Sequence, residues 1–286
     1  MASTSYAARP IKRLRATAAE MAERRELLVD LAASHGPCSV RHLFYAAVVA
    51  RMPGITKDKY GYAKVQRLAL ELRRAGRIPY RQVVDNTRLA RYLDTWDSPD
   101  EFLADMAGTY RRNLWSRTPY RVEVWCESDS ISSTVAEVVI TRWRLQLMVC
   151  RGFSSETFAY NAAEAWRDSP RQPVVLYIGD HDPHGLEIES NLREKLTTFA
   201  EVEPVWHRIG VTWDQVVDLD LPGTTPKKSY GFPQAVEAEA LPAPMLREML
   251  DNAISAYVDP HQLEVLQVAE ADEREGLELL FGGWNG

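Results

Sequence analysis

The sequence predicts an α/β protein in which a mostly helical N-terminal domain, residues 1–118, precedes a Rossmann-like domain with a parallel sheet, residues 119–286. Three observations predict it. Apolar residues recur at helical spacing from about Ile11 to Leu114. From Arg121 onward, short apolar strands alternate with helical stretches, as in a parallel sheet covered by helices. The charge also changes sign along the chain. Residues 1–120 hold 21 Lys and Arg against 12 Asp and Glu, or +9; the remainder holds 13 against 28, or −15, and the sum is the net −6. A basic part joined to an acidic one suits a protein whose first part neutralises phosphates and whose second part gathers cations. Ordinary variation among solvated surfaces gives the same numbers.

At 286 residues the chain is long enough for two domains, each with its own core. Hydrophobic residues make up 45% and charged residues 26%, which excludes fibrous and disordered classes. The longest apolar runs, such as Pro173 to Ile178 and Ala46 to Ala50, are too short to cross a bilayer. Basic residues Arg9, Lys12, Arg13 and Arg15 stand where a signal peptide needs an apolar core. The expected location is therefore cytoplasmic, without a membrane partner. Only Met1 to Ala8 reads as a loose terminus. Cys38, Cys126 and Cys150 are odd in number, far apart and set in or beside apolar segments, so they read as buried thiols.

In the helical part, Ser39 is an N-cap candidate for a helix through Val48. Val40, Leu43, Phe44, Ala47 and Val48 share one apolar stripe, and Tyr45 falls off it, which leaves its hydroxyl free to act outside the core. A second helix, about Tyr60 to Ala75, places Val65, Leu68, Ala69 and Leu72 inward and Lys64, Arg67 and Arg74 outward, with Gly76 as its stop. A short strand at Ile78 to Val84 follows, beside Arg77 and carrying Arg81. Two helices and a basic ribbon read as a winged helix-turn-helix, with Lys64, Arg67, Arg74, Arg77 and Arg81 as DNA-binding candidates. A helical bundle with solvated arginines has the same pattern.

The strands of the second part are expected at Arg121–Cys126, Leu147–Cys150, Pro173–Gly179 and Pro204–Ile209, with helices near Ser130–Trp143, Ser155–Trp166 and His184–Phe199. Ligands of open parallel sheets bind beyond the carboxyl ends of the strands. There the first strand runs into Glu127 and the third into Asp180-His181-Asp182-Pro183-His184-Gly185. Glu127, Asp180 and Asp182 offer hard oxygen donors suited to Mg²⁺ or Mn²⁺. Such close carboxylates raise one another's pKa unless a cation neutralises them. His181 and His184 read as turn and helix-start residues.

These residues resemble the Toprim domain, which has a glutamate after its first strand and Asp-x-Asp after its third. Here those are Trp125-Cys126-Glu127 and Gly179-Asp180-His181-Asp182. The longer Asp180-x-Asp182-Pro183-x-Gly185 is similar to the topoisomerase VI A subunit and its meiotic double-strand-break relatives. Arg151-Gly152-Phe153 resembles their glycine-aromatic element, although Ser154 stands where they have proline. Arg41-His42-Leu43-Phe44-Tyr45 resembles their catalytic-tyrosine segment, in a winged-helix domain placed ahead of the Toprim domain.

The resemblance implies Mg²⁺-dependent, type IIB-like DNA cleavage, in which Tyr45 attacks a backbone phosphate and forms a 5′-phosphotyrosyl link. Arg41 is then a phosphate-contacting helper, and Glu127, Asp180 and Asp182 hold the metal. It also implies double-stranded DNA as partner, nucleoid association, a homodimer in which one protomer's tyrosine serves the other's metal site, and a separate ATPase subunit, since the sequence carries no P-loop. Two alternatives stay open: a hydrolytic Toprim endonuclease in defence or plasmid restriction, with metal-activated water as nucleophile, and a non-catalytic DNA-binding module. The apolar residues Leu241, Leu246, Leu250, Ile254 and Val258 suggest one or two C-terminal helices, expected to serve dimerisation.

Overall fold

The structure is a computed structural model, and residues 16–84, 93–225 and 232–282 are described. Met1 to Ala8 and the basic residues Arg9 to Arg15 lie outside the described residues. Four helices come first: α1 (Ala18–His35), α2 (Val40–Val49), α3 (Lys59–Arg74) and α4 (Pro99–Thr109). Ser39 caps α2 by accepting from the His42 amide, and Asp58 caps α3 by accepting from the Tyr60 and Gly61 amides. Gly76 follows α3 at φ +69°, a left-handed conformation that glycine reaches without the Cβ penalty. Val65, Leu68, Ala69 and Leu72 form the buried face of α3, as their spacing requires.

The expected strand at Ile78–Val84 is not formed. A 3₁₀ turn occupies Tyr80–Gln82, and among the described residues pairing is limited to a single bridge between Val83 and Cys38. Pro79 has no amide to donate to a ladder. Among the described residues, the N-terminal part is therefore helical with no strand of its own.

The second part is a four-stranded parallel sheet in the order β2-β1-β3-β4, made of β1 (Tyr120–Cys126), β2 (Gln146–Val149), β3 (Gln172–Ile178) and β4 (Val205–Gly210). Each expected strand is present within a residue or two. The chain moves outward from β1 to β2, then crosses back to β3 on the other side of β1. The gap between the carboxyl ends of β1 and β3 is thus the switch point where ligands of such sheets bind.

Side chains alternate between two apolar layers. Val122, Val124, Cys126, Val174, Leu176 and Ile178 face one core, and Trp125, Val175 and Tyr177 face the other. The second layer is filled by α6 (Glu156–Arg167) and α7 (Pro183–Ala200), through Ala159, Ala163, Trp166, Leu192 and Leu196. The first layer is covered by α5 (Asp129–Ala136) and α9 (Ala243–Ser255), and it continues into α1, α2 and α3 through Leu28, Leu43 and Val65. The short α8 (Trp213–Asp218) follows β4, and α10 (Pro260–Gly282) lies against α4. Leu241, Leu246, Leu250, Ile254 and Val258 are buried in this core. That corrects the expectation that they serve dimerisation, because their apolar surface is already covered within the chain.

All three cysteines are buried free thiols, as expected. Among the described residues, no helix is long and apolar enough to cross a membrane.

Candidate functional site

The strand ends bring the sequence-predicted carboxylates together. Glu127 directly follows β1, and its Oε2 accepts from the Asp180 amide at 3.1 Å. Asp180 Oδ1 accepts from the Ala238 amide at 2.8 Å. Asp182 is the N-cap of α7 and accepts from the Gly185 amide at 2.7 Å. Pro183 occupies the first turn of that helix, where its missing amide costs no bond. Gly185 must be small there, since a Cβ would come 2.5 Å from the Asp180 carbonyl oxygen.

Gly179 has a similar role at the end of β3. An added Cβ would meet Tyr177 Cε1 at 2.7 Å and Glu127 Oε2 at 3.0 Å. The glycine therefore lets the glutamate approach the Asp180 loop. Arg208 fixes that loop from β4, donating to the Gly179 carbonyl at 2.9 Å and the Asp180 carbonyl at 2.6 Å while paired with Glu189.

Two carboxylates join the set that the sequence reading missed. The segment ahead of α9 bridges His181 to Val236, and this carries Glu237 and Glu239 to the same place. Glu239 is 3% exposed and lies 3.5 Å from Arg41 Nε. Glu237 accepts from Arg41 Nε at 2.9 Å. A signal for this pair was present: two acidic residues within Ala235-Val236-Glu237-Ala238-Glu239-Ala240-Leu241 sit in an apolar run, where buried charge needs a partner.

The crowding appears in the proton affinities. Burial, then Glu127 and Glu239, push the Asp180 carboxyl up to about 8. Burial raises Glu127 as well, with Asp182 and Glu239 adding to it. Glu239 is raised by burial against the pull of Arg41. These are hard oxygen donors whose mutual crowding a divalent cation would relieve. Their positions are not those of a closed coordination shell. Among the described residues, no three His, Cys, Asp or Glu side chains converge as a metal ion needs.

Tyr45 is 3% exposed, which corrects the expectation that it stands outside the core. One side of α2 packs on α3 and the other on the Ala238–Ala240 turn, so two faces of the helix are covered. Tyr45 and Glu237 of the same chain line one cavity, and the carboxylate is near enough to raise the proton affinity of the phenol. Lys57 Nζ lies 5.0 Å from the centre of its ring. Burial and then Glu237 raise the Tyr45 pKa, and Arg41 opposes them only in part. The phenol is thus held protonated in this state, with Arg41 pulling the other way. The Arg41 charge is already engaged by Glu237 and Glu239.

The remaining sequence-predicted residues lie around this centre. Gly152 donates to the Glu127 carbonyl at 3.4 Å, and Phe153 meets His184 edge to face at 5.2 Å. His184 is in the first turn of α7, and His181 pairs through its backbone with Val236, so both have the turn and helix-start places expected. Lys64, Arg67, Arg74, Arg77 and Arg81 are exposed on or after α3. Lys64 donates to the Gly54 carbonyl, Arg67 lies 3.7 Å from Glu71, and Arg77 pairs with Glu26 at 2.8 Å. Compared with known proteins, the chain matches no family model, no curated protein and no solved structure.

Proposed function

We propose that this chain cuts DNA by tyrosine transesterification, in a Toprim-like and topoisomerase VI A-like manner, with Tyr45 as nucleophile. The observation that carries the reading is the meeting of two independently noticed motifs. Tyr45 and Arg41 share a cavity with Glu237, whose neighbour Ala238 binds Asp180 at the strand ends. Tyrosine, guanidinium and acidic cluster are the parts a phosphoryl transfer needs, and they come from segments far apart in sequence.

In this scheme the Tyr45 oxygen forms a bond to phosphorus while the bond from phosphorus to the 3′ oxygen breaks. The products are a 5′-phosphotyrosyl link and a 3′-hydroxyl, the latter protonated from solvent. Glu237, which lines the same cavity, would receive the phenolic proton. Arg41 turns from Glu237 toward the phosphate as that proton transfers, since a protonated Glu237 no longer holds it. Glu127, Asp180 and Asp182 would have to draw together to hold Mg²⁺ or Mn²⁺, which would supply charge stabilisation to the transfer. Lys64, Arg67, Arg74, Arg77 and Arg81 would contact duplex phosphates, as in a winged-helix module. A homodimer would supply a second site for the second strand, and a separate ATPase subunit any strand passage.

The test is incubation with supercoiled plasmid and Mg²⁺ or Mn²⁺, followed by a detergent quench. Wild type should leave protein on 5′ ends, and Tyr45→Phe should not. One observation favours a second reading, a hydrolytic endonuclease: Tyr45 is buried and held protonated. Normal cutting by Tyr45→Phe, with no adduct in wild type, would select that reading. If Asp180→Ala and Asp182→Ala leave function intact, the chain is instead a non-catalytic DNA-binding module.

A further inference from the structure

The cavity beside Tyr45 measures about 360 Å³, more than a phosphate group alone requires. That is within the range of small-molecule sites, which begins near ~300 Å³. Its inner wall is aromatic. The Phe44 and Tyr45 rings stand 5.3 Å apart, and those of Phe44 and Tyr62 5.5 Å, both edge to face. Phe44 and Tyr45 are only 5% and 3% exposed, so a ligand that touches them must enter below the protein surface. Cations line the same cavity: Lys57, Lys59 and Arg41, the last with 48% of its side chain exposed. Thr224 and Glu237 add a hydroxyl and a carboxylate to its polar side.

Aromatic rings, cations and a few hydrogen-bonding groups in one cavity are the chemistry that recognises a nucleotide. The base meets the rings, the phosphate meets the cations, and the base edge meets the polar groups. A stacked duplex presents only its phosphate ridge and groove edges, and it cannot send a base to rings that lie below the surface. An unstacked nucleotide can reach them.

We propose that this cavity takes one DNA nucleotide out of the helical stack, with its base against Phe44 and Tyr62 and its phosphate at Lys57 and Arg41. The proposal rests on the reading that DNA is the substrate. It does not require that Tyr45 be the nucleophile. Because unpairing opposes entry from an intact duplex, sites already unpaired should bind better.

The experiment uses the full chain in EDTA, so that binding is measured without cutting. Fluorescence anisotropy compares a labelled duplex carrying one central mismatch with its matched counterpart. Wild type should bind the mismatched duplex about tenfold more tightly. Thymidine 5′-monophosphate should compete with the mismatched duplex more strongly than with the matched one. Tyr62→Leu should bring the two affinities together while leaving the matched one unchanged. Lys57→Gln should do the same to the ratio, and it serves if Tyr62→Leu does not fold. Equal affinities in wild type, or a preference that survives both substitutions, overturns the proposal. A wild-type preference without any covalent adduct in the plasmid assay would sink the tyrosine mechanism and leave this pocket standing.

Discussion

Replacing Asp180 by asparagine removes the charge at the most crowded point of the acidic cluster and keeps the oxygen that binds the Ala238 amide. In the folded chain, burial and the neighbours Glu127 and Glu239 raise this carboxyl from 3.8 to about 8. The folded state therefore holds a proton that the unfolded state has released. Without a cation, stability should fall as pH rises from about 4 to about 8. At ~1.4 kcal/mol per pH unit the ceiling is roughly 6 kcal/mol. Glu127 and Asp180 compete for protons, so about 2 kcal/mol is expected to appear, or roughly 3 °C in Tm for a chain of this size. Thermal unfolding in EDTA checks it. Asp180→Asn should match wild type near pH 4 and exceed it near pH 8, and Mg²⁺ should raise the Tm of wild type alone. An Asn variant less stable than wild type near pH 8 would refute the reasoning, because it would mean that the folded site needs the charge.

Gly179→Ala forces a methyl against Tyr177 and Glu127; it should cost about 1–3 kcal/mol in thermal unfolding and reduce Mg²⁺-dependent stabilisation. Arg247 on α9 donates to the Thr134 carbonyl at 2.9 Å and the His35 carbonyl at 2.7 Å, tying the N-terminal helices to α5. Arg247→Met should therefore lower stability by about 3 kcal/mol in a urea titration. Alanine at Lys64, Arg67, Arg74 or Arg81 should weaken DNA binding evenly across sequences and reduce the salt slope by about 1 each. Arg77→Ala should do less, since that side chain already pairs with Glu26.

The sheet and its strand-end carboxylates were legible because buried parallel strands leave nearly continuous apolar runs, and whatever follows such a run lies at the strand's carboxyl end. Ser39 and Gly76 were legible because caps are local chemistry. Glu237 and Glu239 were not, since their place depends on a loop that returns to the Asp180 turn from more than fifty residues away. The burial of Tyr45 was missed for a related reason. A single apolar stripe describes a helix covered on one face, whereas α2 is covered on two. The Ile78–Val84 segment has the composition of a strand, but among the described residues its only strand-type pairing is with Cys38. The helix after β1 widens into a π turn at Glu137–Arg142, where Val138, Val139, Ile140 and Thr141 form a β-branched run of the kind that helices accommodate poorly.

The most direct test of the central claim is the detergent-quenched plasmid assay with Mg²⁺, run on wild type, Tyr45→Phe and Asp180→Asn. Covalent protein on 5′ DNA ends in wild type, lost in both variants, is the predicted result. Unchanged cutting by Tyr45→Phe with no adduct in wild type would contradict it.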